Sequence, residues 1–339
     1  MRIAKHVRKL EAYTPGEQPK AKRVVKLNTN ENPYPPSPEC REVLAKFDLD
    51  HLRRYPDPEF AELRAELAKL NGTQPECVFV GNGSDEVLAL AARCFVENDE
   101  KIGSLDPSYS LYKTLAAIRD VKWVGKPEGT SLFLLTNPNA PTGEFREPAD
   151  IARFARGYRG VVIVDEAYAD FARANCMSLA TAKANRNVMV MRTFSKSYSL
   201  AGLRVGYLVG PKDLIDAMYK IKDSYNVDAV AQAVALAAVR DQAWMRRNAD
   251  KVIATRRKLT RALERRGWDV IPSESNFVFA RPPEGSPDAA ATFAALKERN
   301  IFVRYFPGPK TRDRLRITIG TEAQTRALLA ALDEIAKVR

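Results

Sequence analysis

Histidine is nearly absent from this 339-residue chain, with His6 and His51 the only two. Neither sits in a nucleophile motif, so a hydrolytic triad is not expected and any acid–base work falls to another side chain. Cysteine is also scarce. Cys40, Cys77, Cys94 and Cys176 lie far apart without a C-x-x-C pair, which argues against a structural zinc site and against a disulfide framework. Buried free thiols are the expectation, with no metal. No apolar run approaches the roughly 20 residues needed to cross a bilayer. The opening MRIAKHVRKLEAY mixes charge with apolar residues too quickly for a signal-peptide core. A soluble, cytoplasmic protein with no membrane partner is expected.

Hydrophobic residues at 45% and charged residues at 28% are the proportions of a globular chain, long enough for two cores. The formal charge of +12 raises the question of nucleic acid. Lys and Arg are interleaved with Asp and Glu, however, as in EFAELRAELAKL, and the one local excess runs from Arg2 to Lys26. Attraction for small anionic ligands is the better expectation, with no nucleic acid partner.

Residues 1–25 read as an arm followed by the turn YTPGEQP, then a short strand at 24–27 and the loop NTNENPYPPSP. Helical spacing marks 58–70 and 85–95. Short apolar runs at 78–80, 132–135, 161–164, 188–191 and 206–209 alternate with helical stretches, the pattern of a mostly parallel sheet covered on both faces. After about residue 225 long helices (229–239, 243–265) precede strands at 276–279 and 315–319 and a last helix at 322–338. The expected organisation is an arm (1–25), a large α/β domain (26–225) and a small α+β domain (226–339).

In such sheets ligands bind beyond the carboxyl ends of the strands. Those ends carry GNGSDE after Val80, TNPNAPTG after Leu135, DEAY after Val164 and RTFSK after Met191. In this order, and with RTFSKSYSLAGLRVGY as the most specific stretch, the chain resembles the fold-type I aminotransferases, which depend on pyridoxal 5′-phosphate. The resemblance runs from LNTNENPYPPSP to RITIG and is greatest to the histidinol-phosphate aminotransferase family. It implies amino-group exchange between L-histidinol phosphate and 2-oxoglutarate by a homodimer with composite sites. Transamination of aromatic amino acids and decarboxylation of threonine phosphate are alternatives on the same frame. A regulator with an aminotransferase-like body that binds nucleic acid is a further one, although the 23 residues before Val24 leave little room for a helix-turn-helix domain.

The resemblance also implies roles. Lys196 would be the amine that condenses with the cofactor and then moves a proton. Asp165 would hold the ring nitrogen protonated, since a nearby carboxylate favours the cation. Tyr168 would reach the cofactor's 3′ oxygen. Gly83, Ser84 and Asp85 begin a helix suited to a phosphate, with Ser195 and Arg204 completing the cup and the Asp85 side chain capping the helix. Tyr109 matches the aromatic that stacks on the ring, and Tyr55 the tyrosine that reaches the partner subunit's cofactor. Ala140 stands where the family carries an asparagine before Pro-Thr-Gly; Asn139 or Asn137 could substitute, or Tyr168 could serve alone. The bond before Pro141 is a candidate for the cis form. Arg316 corresponds to the arginine that clamps the substrate's acidic group. Arg304 is either its second partner or a solvated edge-strand residue. Asn30 and Glu31 belong to a loop that covers the site in relatives.

Overall fold

The computed structural model describes residues 2–10, 16–19, 23–182 and 184–337. The expected arm falls partly outside the described residues, as do Tyr13, Thr14 and Pro15 of the expected turn. Within the arm, Val7–Lys9 forms a 3-10 turn.

β1 (Val25–Lys26) leads into the Asn- and Pro-rich loop, which stays irregular until the Ser37 hydroxyl caps α1 (Pro38–Lys46), accepting from the Glu39 amide at 3.2 Å. α2 (Ala61–Leu70) buries Leu63 and Leu67, the apolar pair at helical spacing. There follow β2 (Val78–Gly81), α3 (Gly83–Cys94), β3 (Lys101–Ser104), α4 (Leu111–Arg119), β4 (Lys122–Val124) and β5 (Leu132–Thr136). Next come α5 (Pro148–Gly157), β6 (Val161–Asp165), α6 (Met177–Thr181), β7 (Val188–Thr193) and β8 (Gly206–Val209).

These strands form a seven-stranded sheet in the order β2-β8-β7-β6-β5-β3-β4, parallel from β7 to β4, with β8 antiparallel to both neighbours. Alternate residues of the apolar runs enter different cores. Phe133, Leu135, Val162, Val164, Val188 and Val190 pack on one face, and Leu132, Leu134, Ile163, Met189 and Met191 on the other. A two-residue side-chain period delivered to two covered faces requires apolar residues at every position.

The chain continues through α7 (Lys212–Tyr219), α8 (Ala229–Arg240), α9 (Gln242–Glu264), β9 (Asp269–Ile271), β10 (Phe277–Arg281), α10 (Ala289–Glu298), β11 (Ile301–Phe302), β12 (Arg304–Tyr305), β13 (Leu315–Thr318) and α11 (Glu322–Ile335). A second sheet, β12-β13-β10-β9, is antiparallel throughout. β1 pairs in parallel with β11, Val25 opposite Ile301, which ties the start of the chain to its C-terminal part. The fold is the expected α/β architecture. β3 and β4 were not legible beforehand: Lys101–Ser104 holds one long apolar residue, and Lys122–Val124 is a three-residue edge strand, exposed at Lys122 and half-buried beyond it. Cys40 and Cys176 are buried as expected, whereas Cys77 and Cys94 are only partly covered; all four are free thiols.

Candidate active site

The carboxyl ends of β5, β6 and β7 and the start of α3 open onto one cavity of about 540 Å³, closed on the other side by β12, β13 and the loop carrying Asn28–Glu31. Asp165 is the last residue of β6 and is buried. Its Oδ2 accepts from the Tyr112 hydroxyl at 2.7 Å and its Oδ1 from the Ala167 amide at 3.1 Å. Burial lifts its pKa to about 6 against the pull of those hydrogen bonds, so the group is ionised at neutral pH.

Lys196 sits in the turn beyond β7, where the fully buried Phe194 anchors the chain and the Ser195 amide donates to Thr193 Oγ1 at 3.1 Å. Its Nζ donates to the Thr29 carbonyl at 3.4 Å and lies 5.8 Å from the Tyr168 ring centre. Loss of solvent, followed by the positive field of Arg316, brings its pKa down to about 8, with Glu31 and Asp85 opposing. A substantial neutral fraction of this amine is therefore present near physiological pH, as a nucleophile or base requires.

Behind both residues lies a charged clamp. Glu166 points away from the cavity and accepts from Arg192 Nε at 2.9 Å and from the Cys176 amide. Arg192 Nη1 reaches Asp170 Oδ1 at 3.0 Å, and the Ser197 hydroxyl donates to the other oxygen of Asp170. The carboxylates raise the Arg192 pKa further. The clamp joins the end of β6, the turn after it and the lysine loop into one unit.

At the start of α3, Gly83 has φ +81°, and a Cβ there would lie 2.6 Å from Arg204 Nη2. Only glycine lets the guanidinium close on the helix start. Arg204 Nη1 lies 3.4 Å from Ser195 Oγ, and Ser84, Ser195 and Arg204 all line the cavity. Asp85 does not cap α3. Its carboxylate accepts instead from Arg204 Nη2 at 3.2 Å and from the Tyr109 hydroxyl at 3.3 Å. The stronger cation partner takes the side chain from the helix terminus.

Asn139 is also corrected. Its amide is spent within the loop, Nδ2 donating to the Pro107 carbonyl and Thr142 Oγ1, Oδ1 accepting from Ser108. Asn137 is likewise committed to Arg146. Ala140 lines the cavity in their place, with a cis bond to Pro141. Of the three substitutes considered, Tyr168 alone reaches the cavity; its hydroxyl accepts from Asn30 Nδ2 at 3.0 Å, and the Asn30 Oδ1 accepts from Thr318.

Arg304 and Arg316 stand directly opposite each other across β12 and β13, and both line the cavity. Two guanidiniums on one face of a strand pair repel; an anion between them relieves that repulsion. Arg316 Nη2 is steadied by the Asn28 carbonyl at 2.8 Å. Tyr109 lies at the cavity wall, edge-on to Tyr112 at 5.6 Å. Tyr55 is apart from its own chain's cavity, 80% exposed and stacked on Tyr225 at 4.3 Å.

Sequence reasoning passed over Tyr112, Thr136, Asp106 and Lys310. Thr136 ends β5, where the same strand-end rule applied. Lys310 binds Asp106 Oδ2 at 2.8 Å across the mouth, a pairing between distant segments that leaves no local signal.

The model of aminotransferase class I and II matches residues 22–332, and the chain belongs to that family. Histidinol-phosphate aminotransferases are the relatives it resembles along nearly its whole length. "Histidinol-phosphate aminotransferase 2" of Burkholderia mallei is 44% identical over 97% of both chains. That of Acetobacter pasteurianus is 43% identical over 97% of this chain and 96% of its own. The crystal structure of histidinol-phosphate aminotransferase from Sinorhizobium meliloti in complex with pyridoxal-5′-phosphate superposes with a TM-score of 0.90 at 25% identity, covering 99% of this chain and 98% of that one. The cavity fits that cofactor. It joins a partly buried amine, a buried carboxylate and a helix start that a single Cβ would obstruct.

Proposed function

We propose that this chain is a pyridoxal 5′-phosphate-dependent aminotransferase of histidine biosynthesis, exchanging an amino group between L-histidinol phosphate and 2-oxoglutarate. The observation that carries the reading is the cavity's charge layout: Lys196 and Asp165 inside, Arg304 and Arg316 opposite each other at its wall. The cofactor supplies an aldehyde that carries the amino group and a ring that takes up the electrons released at the substrate's Cα.

Lys196 would hold the cofactor through its amine, and its Nζ would move the proton taken from the substrate Cα. Its depressed pKa supports that role. Asp165 holds a proton on the ring nitrogen. Ser84, Ser195 and Arg204, with the first amides of α3 at Gly83 and Asp85, bind the cofactor phosphate. Tyr109 would pack against the ring, and Tyr168, supported by Asn30, would serve the 3′ oxygen. Arg316 and Arg304 grip the phosphate of histidinol phosphate or the carboxylate of glutamate with planar forks.

The same proposal makes the protein a cytoplasmic homodimer, with a large domain up to about residue 225 and a small one beyond. Tyr55 of each subunit enters the other's site. Exposed Leu49, Leu52 and Tyr55 support an apolar contact between copies, and four free cysteines agree with a reducing compartment. Light scattering tests the dimer. A substrate panel tests the activity: turnover with histidinol phosphate above phenylalanine is expected. A preference for phenylalanine, or carbon dioxide release from threonine phosphate, overturns the assignment.

A further inference from the structure

Below Asp165 lies a fully buried phenol. Tyr112 projects from α4 with no exposed surface, its hydroxyl 2.7 Å from Asp165 Oδ2 and 2.6 Å from Thr136 Oγ1. Proton counting fixes the directions. An ionised carboxylate only accepts, so the single phenolic proton goes to Asp165. Thr136 must then donate its own proton to Tyr112. Ser108, 3.3 Å from Thr136 Oγ1, gives its single proton to Asn139 Oδ1 and stands outside this relay. The Thr136 and Tyr112 protons both run toward Asp165, and the last bond is charge-assisted, the stronger kind.

We infer that Tyr112 is a positioning residue for the transamination, its hydroxyl, backed by Thr136, holding Asp165 ionised and oriented for the cofactor's ring nitrogen. This rests on the role proposed above for Asp165. The other groups that face Asp165 are the Ala167 amide, Lys196, Asp85 and Tyr168; Glu166, its neighbour in sequence, is turned away onto Arg192. Among these side chains Tyr112 is the one in hydrogen-bond contact with the carboxylate. Burial works against the charge of Asp165, and the phenol opposes that effect. Removing the hydroxyl raises the pKa of the carboxyl, so a smaller fraction is ionised at a given pH and the cofactor is bound less tightly.

The test measures the dissociation constant of pyridoxal 5′-phosphate from the apoprotein across mildly acidic to alkaline pH, alongside melting temperature. Tyr112→Phe is expected to weaken binding about tenfold near neutrality and to move the acid limb of the profile upward by about one pH unit. Thr136→Val moves it the same way by less. Incorporating 3-fluorotyrosine at position 112 makes a better donor and moves the limb downward; this arm decides the sign if the Phe protein does not fold. A limb unmoved by both replacements overturns the inference, as does a uniform loss at all pH that follows a lower melting temperature. Asp165→Asn separates the two levels. If it leaves the wild-type limb in place, the role of Asp165 fails; if it removes a limb that Tyr112→Phe does not shift, only the role of Tyr112 fails.

Discussion

The floor and the mouth of the cavity hold the same kinds of charge under opposite conditions. On the floor, Asp165 is buried and Lys196 largely so, and both titrate far from their usual ranges, at about 6 and about 8. At the mouth, Arg204 and Asp85 are each nearly half exposed, and Lys310 meets Asp106 over open solvent. A charge out of water changes acidity and therefore chemistry. A charge in water is screened, and an exposed pair contributes at most about 1 kcal/mol. The floor thus sets what reaction is possible, and the mouth sets how ligands are held.

The comparison can be broken most severely at Lys196. Lys196→Ala is expected to abolish the yellow absorbance of the loaded protein and to lower turnover at least about 10³-fold; transamination at the wild-type rate would mean that another amine acts. Asp165→Asn comes next. Turnover should fall roughly 10²-fold while the apoprotein becomes more stable. The sign follows from linkage: the folded pKa of about 6 lies above the ordinary 3.8, so the ionised carboxylate penalises folding above pH 6, and the penalty disappears as pH falls through 3.8. The penalty at neutral pH is about 3 kcal/mol at most, to be read as a higher melting temperature of the Asn apoprotein at pH 8 and little difference at pH 4. Lys196 mirrors it, its cation penalised below pH 8 and the penalty relieved as pH rises toward 10.5.

Effects at the mouth should be smaller and expressed in binding. Arg316→Lys keeps the charge and loses the fork, and should raise KM for the phosphorylated amine about 10- to 100-fold with a lesser change in kcat. Lys310→Ala removes a screened pair and should change KM about threefold or less, an effect that fades further in high salt. A large, salt-insensitive loss there would erase the distinction between mouth and floor.

Much of the floor was legible beforehand because it is built from strand ends. Val161–Val164 and Val188–Met191 announce buried parallel strands, and the polar residues that follow them face a common rim. Lys196, Asp165, Tyr168, Ser84, Ser195 and Arg204 are brought to one cavity as that rule requires. Asp85 and Asn139 were misread because a side chain with several available partners takes the strongest one nearby. For Asp85 that partner arrives from a segment more than a hundred residues away, and for Asn139 from its own loop and residue 108.

Sequence alone determined the two-faced apolar strands, the helix start at Gly83 and the amine beyond β7, because each depends on local periodicity, a local backbone requirement or a short motif. Tertiary structure alone decided which groups meet: Tyr112 beneath Asp165, Arg304 opposite Arg316, Lys310 across from Asp106. Hydrogen bonds and ion pairs act over a few ångströms of space, and separation along the chain carries no record of them.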